Sequence, residues 1–114
     1  MDSRNDSMDL SDDSVFESAA ELFRAMAAPV RLKIISVLCH GEKNVTELLA
    51  DITTTQPNMS QHLNTLYQAR VIGRRREGVQ IFYKIINDRV VTLCRAICVQ
   101  TARHSVTTRS LTMR

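Results

Sequence analysis

Five polar residues crowd one short stretch of the chain, Thr55, Gln56, Asn58, Ser60 and Gln61, all bearing amide or hydroxyl groups. Such side chains both donate and accept hydrogen bonds at short range, which suits the edges of bases in a DNA major groove. Thirteen positions after Gln61, three consecutive arginines, Arg74, Arg75 and Arg76, begin and precede the turn Glu77-Gly78. A guanidinium cluster of this kind suits phosphate, and it supplies affinity and salt dependence more than sequence choice. Three cysteines, Cys39, Cys94 and Cys98, complete the groups capable of chemistry. An odd count cannot pair fully within one chain, so they are read as thiols and not as a disulfide framework.

The charge distribution agrees with an anionic partner. The 114 residues carry a net charge of +3, with the signs segregated along the chain. Residues 1–20 hold six acids against one base, whereas residues 70–114 hold ten bases against only Glu77 and Asp88. Nucleic acid or an anionic membrane surface would answer such a basic half. No apolar run reaches the length of a membrane span, and the polar, acidic start of the chain does not read as a secretory signal, so the expected location is the cytoplasm. An enzyme is disfavoured: no Cys-x-x-Cys motif, Ser-His-Asp set, glycine-rich phosphate loop or catalytic carboxylate pair stands out.

Helices and a hairpin must position these groups. Residues 1–14 read as a disordered acidic tail, and residues 15–103 as a single domain. Apolar residues at spacings of three and four (Ala19, Leu22, Phe23, Met26) predict a first helix, and Pro29 opens a second that runs to His40-Gly41. Asn44-Val-Thr-Glu47 has the form of a capping box before a short helix over 45–52. A polar turn then leads to a helix over 55–69, capped by Thr55 or Gln56, with Met59, Leu63, Leu66 and Tyr67 facing the core. Two helices joined by about four residues make a helix-turn-helix.

After Ala69 the period falls to two. Val71–Arg76 and Val79–Ile85 form a β-hairpin, with Val79, Ile81 and Tyr83 on one face. Asn87 or Asp88 caps a last helix over 89–103, and residues 104–114 read as a flexible basic tail. The order is α-α-α-α-β-β-α, mainly helical with a small hairpin. His62, at the flank of the core stripe, reads as a hydrogen-bonded structural histidine in preference to a metal ligand. One reading helix covers few base pairs, so a homodimer on an inverted repeat is expected. The first and last helices carry surplus apolar surface for its seam.

Three segments, Ala27-Ala-Pro-Val-Arg-Leu32, Gln56-Pro-Asn-Met-Ser-Gln-His-Leu-Asn-Thr-Leu66 and Arg74-Arg-Arg-Glu-Gly-Val-Gln-Ile-Phe-Tyr83, resemble the ArsR/SmtB family over about residues 15–103. That resemblance implies a winged helix-turn-helix, dimerisation through the first and last helices, double-stranded operator DNA as partner, and release by an inducer. The family's familiar inducer sites are incomplete here. The arsenical type would need cysteines in Asn44–Leu49, which has none. The zinc type on the last helix finds Asp88 and His104 but Val90 and Thr101 between them. The thiol-pair positions are Ser36 and Ala102.

The three cysteines present stand elsewhere, and three readings of them stay open. They are small buried filler, a soft-ion or arsenical site formed by Cys94 and Cys98 with Cys39 or a partner group as third ligand, or a redox or persulfide sensor. The chain therefore has either no cofactor or a soft metal or metalloid. The alternative function is a winged-helix module that binds protein or RNA and has no inducer site.

Overall fold

The computed structural model describes the backbone of residues 12–112 and the side chains of residues 12–103. Each helix begins where local chemistry can satisfy its free N–H groups. Asp12 accepts from the Ser14 N–H at 3.0 Å and starts α1 (Asp13–Met26), two residues before the expected start at Val15. The expected acidic tail therefore gives up residues 13 and 14 to helix. Residues 1–11 lie outside the described residues. Ala28 is extended, as a residue before proline must be, and Pro29 opens α2 (Pro29–Leu38).

Arg31 closes the end of α1 from outside. Its guanidinium donates to the last-turn carbonyls of Ala25 at 2.6 Å and Arg24 at 3.2 Å, the second of which also accepts from the Ala27 N–H. It also reaches His62 Nδ1 at 3.0 Å. Arginine can only donate, so this nitrogen accepts. His62 is thus the hydrogen-bonded structural residue expected of it, and Arg31 ties α1 and α2 to the helix that carries His62.

A two-residue strand, β1 (Lys43–Asn44), follows, then α3 (Val45–Asp51). The capping box forms in full: Asn44 Oδ1 accepts from the Glu47 N–H at 2.8 Å, and Glu47 Oε1 accepts from the Asn44 N–H at 2.9 Å. Asn44 has a second task, since its Nδ2 donates to Gln80 Oε1 at 2.8 Å. Asn44→Ala should lower stability by about 1 kcal/mol, the usual value of an N-cap. Urea denaturation checks this, and Asn44→Asp, which keeps the capping oxygen, should recover most of the loss.

Helix α4 (Gln56–Gln68) starts on Thr55, whose hydroxyl accepts from the Asn58 N–H at 3.2 Å. It stops in a Schellman motif. Arg70 adopts a left-handed φ of 64°, its N–H donates to Tyr67 O, and the Val71 N–H donates to Leu66 O, both at 3.0 Å. Leu66 and Val71, brought together by that turn, are both fully buried. The chain then leaves the helix already aimed into the sheet.

Strands β2 (Ile72–Glu77) and β3 (Gln80–Ile85) pair antiparallel from Ile72↔Ile85 to Glu77↔Gln80. The loop is therefore Gly78-Val79, one residue later than expected. Gly78 has φ 66° while Val79 does not have a positive φ, the pattern of a II′ turn, whose first position favours glycine. Val79 consequently leaves the strand face predicted for it and stands 94% exposed at the hairpin tip. β1 joins β3 through Lys43↔Tyr83 and Asn44↔Phe82, so the hairpin is two strands of a three-stranded sheet ordered β1-β3-β2. The extra strand was not predicted. It exists because β3 offers an open edge, and two residues have no periodicity to show.

Helix α5 (Asp88–Thr112) is capped by Asn87 Oδ1 on the Arg89 N–H. It continues nine residues past the expected end at 103, so most of the predicted flexible basic tail is helical in its backbone. No glycine or proline lies between Asp88 and Arg114 to stop it. Ile34, Ile35 and Leu38 from α2, Leu48 from α3, Met59, Leu63 and Leu66 from α4, Ile72 and Tyr83 from the sheet, and Val90 and Cys94 from α5 form one core.

Candidate nucleic-acid interface

The core fixes which way α4 faces. Met59, Leu63 and Leu66 are fully buried on one side, which leaves Thr55, Gln56, Asn58, Ser60, Gln61 and Asn64 exposed on the other. All five predicted contact residues of this helix therefore lie together at its N-terminal end and open to solvent. Thr55 is also the cap, so its oxygen is engaged while its hydroxyl proton stays available to a phosphate.

The wing divides the three arginines between its two faces. Arg74 and Arg76 pair across the hairpin with Tyr83 and Ile81, on the side turned toward the helices. The Arg74 guanidinium lies 4.0 Å from the centre of the Tyr67 ring on α4. This contact fastens the hairpin to α4 and leaves the charge exposed. Among the described residues Arg76 has no ion pair.

Arg75 points to the opposite face and is held there. Glu42 grips it bidentately, with Nε to Oε2 at 2.8 Å and Nη2 to Oε1 at 2.9 Å, and Glu77 takes Nη1 at 2.7 Å. The Phe82 ring lies beneath it, 4.8 Å from the guanidinium carbon. The hydrogen bonds to the two carboxylates raise the Arg75 pKa, while the bond from Arg75 holds the Glu42 carboxyl below its ordinary value of 4.5. Three equivalent phosphate-binding arginines were expected, but two carboxylates neutralise the middle one. The pH dependence has a definite sign. Because the folded pKa of Glu42 is depressed, the latch is complete above the unfolded carboxyl range and opens as pH falls through the folded value. The Glu42 Cδ chemical shift should therefore titrate at lower pH in the unaltered protein than in the Arg75→Ala variant, as NMR would read.

The cysteines gather along α2 and α5. Cys94 and Cys98 Sγ atoms are 3.8 Å apart, one buried and one exposed. Burial, reinforced by the neighbouring Cys98, pushes the Cys94 thiol up to about 11. Cys39 donates its S–H to the Ser36 carbonyl at 2.9 Å and receives Arg95 Nη2 at 3.7 Å. Among the described residues no three His, Cys, Asp or Glu side chains are grouped to hold a metal ion. Cys39, one of the two third ligands considered for a soft-ion site, is therefore not grouped with Cys94 and Cys98; it caps the end of α2 on the other wall of a cleft.

Residues 28–73 match the family model for bacterial regulatory proteins of the arsR family. The chain is 36% identical over 83 residues to an uncharacterized HTH-type transcriptional regulator of Methanocaldococcus jannaschii, covering 72% of this chain and 93% of that one. The chain belongs to the arsR family. It is a DNA-binding transcriptional regulator with a winged helix-turn-helix, and not an enzyme. The solved structure of NolR from Sinorhizobium fredii is similar to it at a TM-score of 0.71 and 30% identity, over 79% of this chain and 90% of that one. The transcriptional repressor BigR from Xylella fastidiosa is similar at a TM-score of 0.69 and 32% identity, over 75% and 87% of the two chains. No helix among the described residues is long and apolar enough to cross a membrane.

Sequence reasoning missed four members of this interface: Glu42 and Glu77 as holders of Arg75, Tyr67 as the platform for Arg74, and Asn44 as the tie to Gln80. Only Asn44 was legible, as a cap. The pairing of Glu42 with Arg75 spans 33 positions, and no local pattern announces it.

Proposed function

We propose that this arsR-family regulator is a cytoplasmic homodimeric repressor that reads an inverted-repeat operator with two copies of α4 and braces them with two wings. The carrying observation is the exposed polar end of α4 beside two uncompensated arginines. Gln56 and Gln61 read base edges with Asn58 between them, and Thr55 and Ser60 contact phosphates. Arg74 and Arg76 supply backbone affinity. Arg75 sets the wing against the loop after α2 and touches the duplex little.

The uncovered apolar face supports a dimer. Phe16 and Phe23 on α1 and Ile97 on α5 are 53%, 55% and 58% exposed, a cost that a second copy would relieve. Repression is supported by the likeness to BigR, a repressor.

Selection of binding sites from random duplex DNA tests the reading. A two-fold symmetric site should be enriched, with half-sites about one helical turn apart. Enrichment of a single asymmetric element, or of none, would refute it. Salt titrations on the selected site separate the arginines: Arg76→Ala should reduce the slope of log K against log salt by about one unit. Arg75→Ala should leave that slope nearly unchanged, since its charge is already answered within the protein.

A further inference from the structure

A cleft of about 480 Å³ opens between α2 and α5, lined on one side by Ile35, Ser36 and Cys39 and on the other by Val91, Cys94 and Cys98. That volume falls within the range of about 300–1,000 Å³ found for small-molecule sites. The three thiols on its walls are not equivalent. Burial keeps the proton on Cys94, and Cys39 commits its proton to the Ser36 carbonyl. Cys98 is exposed at the mouth, and the Cys94 S–H can donate to its sulfur across 3.8 Å. Arg95 also lines the cleft.

An accessible sulfur, an apolar wall and a guanidinium together match one kind of ligand. We propose that Cys98 is the capture thiol of a regulatory site, and that the site takes an apolar α,β-unsaturated carbonyl compound such as a quinone or enal. The sulfur lone pair forms the C–S bond to the β-carbon, and the alkene π pair moves toward the carbonyl as an enolate. The thiol proton ends on the α-carbon; nothing leaves and no oxidant is consumed. Arg95 meets the negative charge that develops on the carbonyl oxygen. A disulfide between Cys94 and Cys98 is the poorer outcome, because Cβ atoms four apart on a helix stand about 5–6 Å from each other and a disulfide needs about 3.5–4.5 Å.

The cleft also has a route to the wing. A neighbouring hollow runs from Cys39 and His40 over Gly41, at φ 145°, to Glu42. An adduct wedged between α2 and α5 displaces this loop, and Glu42 then loosens its grip on Arg75. This consequence rests on the DNA-binding reading above, whereas the capture itself does not.

The reduced full chain is treated with N-cyclohexylmaleimide, an apolar acceptor, or with acrylamide, a small polar one, and the products are mapped by peptide mass spectrometry. The first adduct should fall on Cys98. The ratio of the two rates should exceed the ratio measured on glutathione by about tenfold. Ser36→Phe, which fills the mouth from an exposed position, should return the ratio to that of glutathione. The adducted protein should bind the selected operator about tenfold more weakly, and Glu42→Gln should remove that difference. First labelling of Cys39, or a glutathione-like ratio in the unaltered protein, would overturn the capture site. Equal operator affinity with and without the adduct would overturn the regulatory role. An unmodified protein that binds no duplex at all would instead refute the operator reading, with the labelling result still deciding the capture site.

Discussion

Gln61→Ala should weaken binding to the cognate operator on the order of tenfold to a hundredfold, the equivalent of about 1–3 kcal/mol per base-reading side chain. Its affinity for unrelated duplex should change little, because that affinity comes from phosphate contacts and not from base edges. The discrimination between cognate and random DNA should therefore collapse while the salt slope stays as it was. Competition mobility shifts at two salt concentrations measure both quantities. Equal losses on cognate and random DNA would remove Gln61 from base reading and make it a backbone contact. Stability should be unaffected, since the side chain is exposed and has no side-chain hydrogen-bond partner among the described residues.

Leu63→Ala should have the opposite profile. Leu63 is fully buried on the inner face of α4, between the reading surface and the core. Truncating such a leucine costs about 2–5 kcal/mol, through lost transfer energy and the cavity left behind. Against a typical domain stability of about 5–15 kcal/mol, this variant loses a large fraction of the total. Urea denaturation should show a lower midpoint with an unchanged slope, because the surface exposed on unfolding stays nearly the same. Base discrimination should survive in the fraction still folded. A loss below about 1 kcal/mol would mean that α4 is not anchored through this residue.

The two substitutions lie two residues apart and act on different faces, which follows from 3.6 residues per turn. That periodicity is also why so much of the reading helix was legible in the sequence. Met59, Leu63 and Leu66 announced the buried side, the polar residues between them announced the outer side, and Thr55 and Pro57 marked the start. The capping box at Asn44 and Glu47 was equally plain, because both its hydrogen bonds join residues three apart. Gly78 marked the hairpin turn to within one position.

Other features depended on residues far apart in the chain. Arg74, Arg75 and Arg76 are chemically identical and adjacent, yet strand alternation sends the middle one to Glu42 and the outer two toward the helix side. Arg31 read as part of a motif; its hold on His62 joins residues 31 positions apart. β1 is a strand only because β3 lies alongside it.

Taken alone, the sequence determined the helices, their caps, the hairpin, the polar face of α4 and the existence of a basic wing. These depend on spacing within a turn or two, where side-chain size, charge and hydrogen-bonding capacity act on near neighbours. Tertiary structure decided which arginine is neutralised, how the wing is fastened to Tyr67 and Asn44, and that the cysteines face a shared cleft. Those outcomes come from contacts between distant segments, and their partners are chosen by the packing of the core and not by any pattern along the chain.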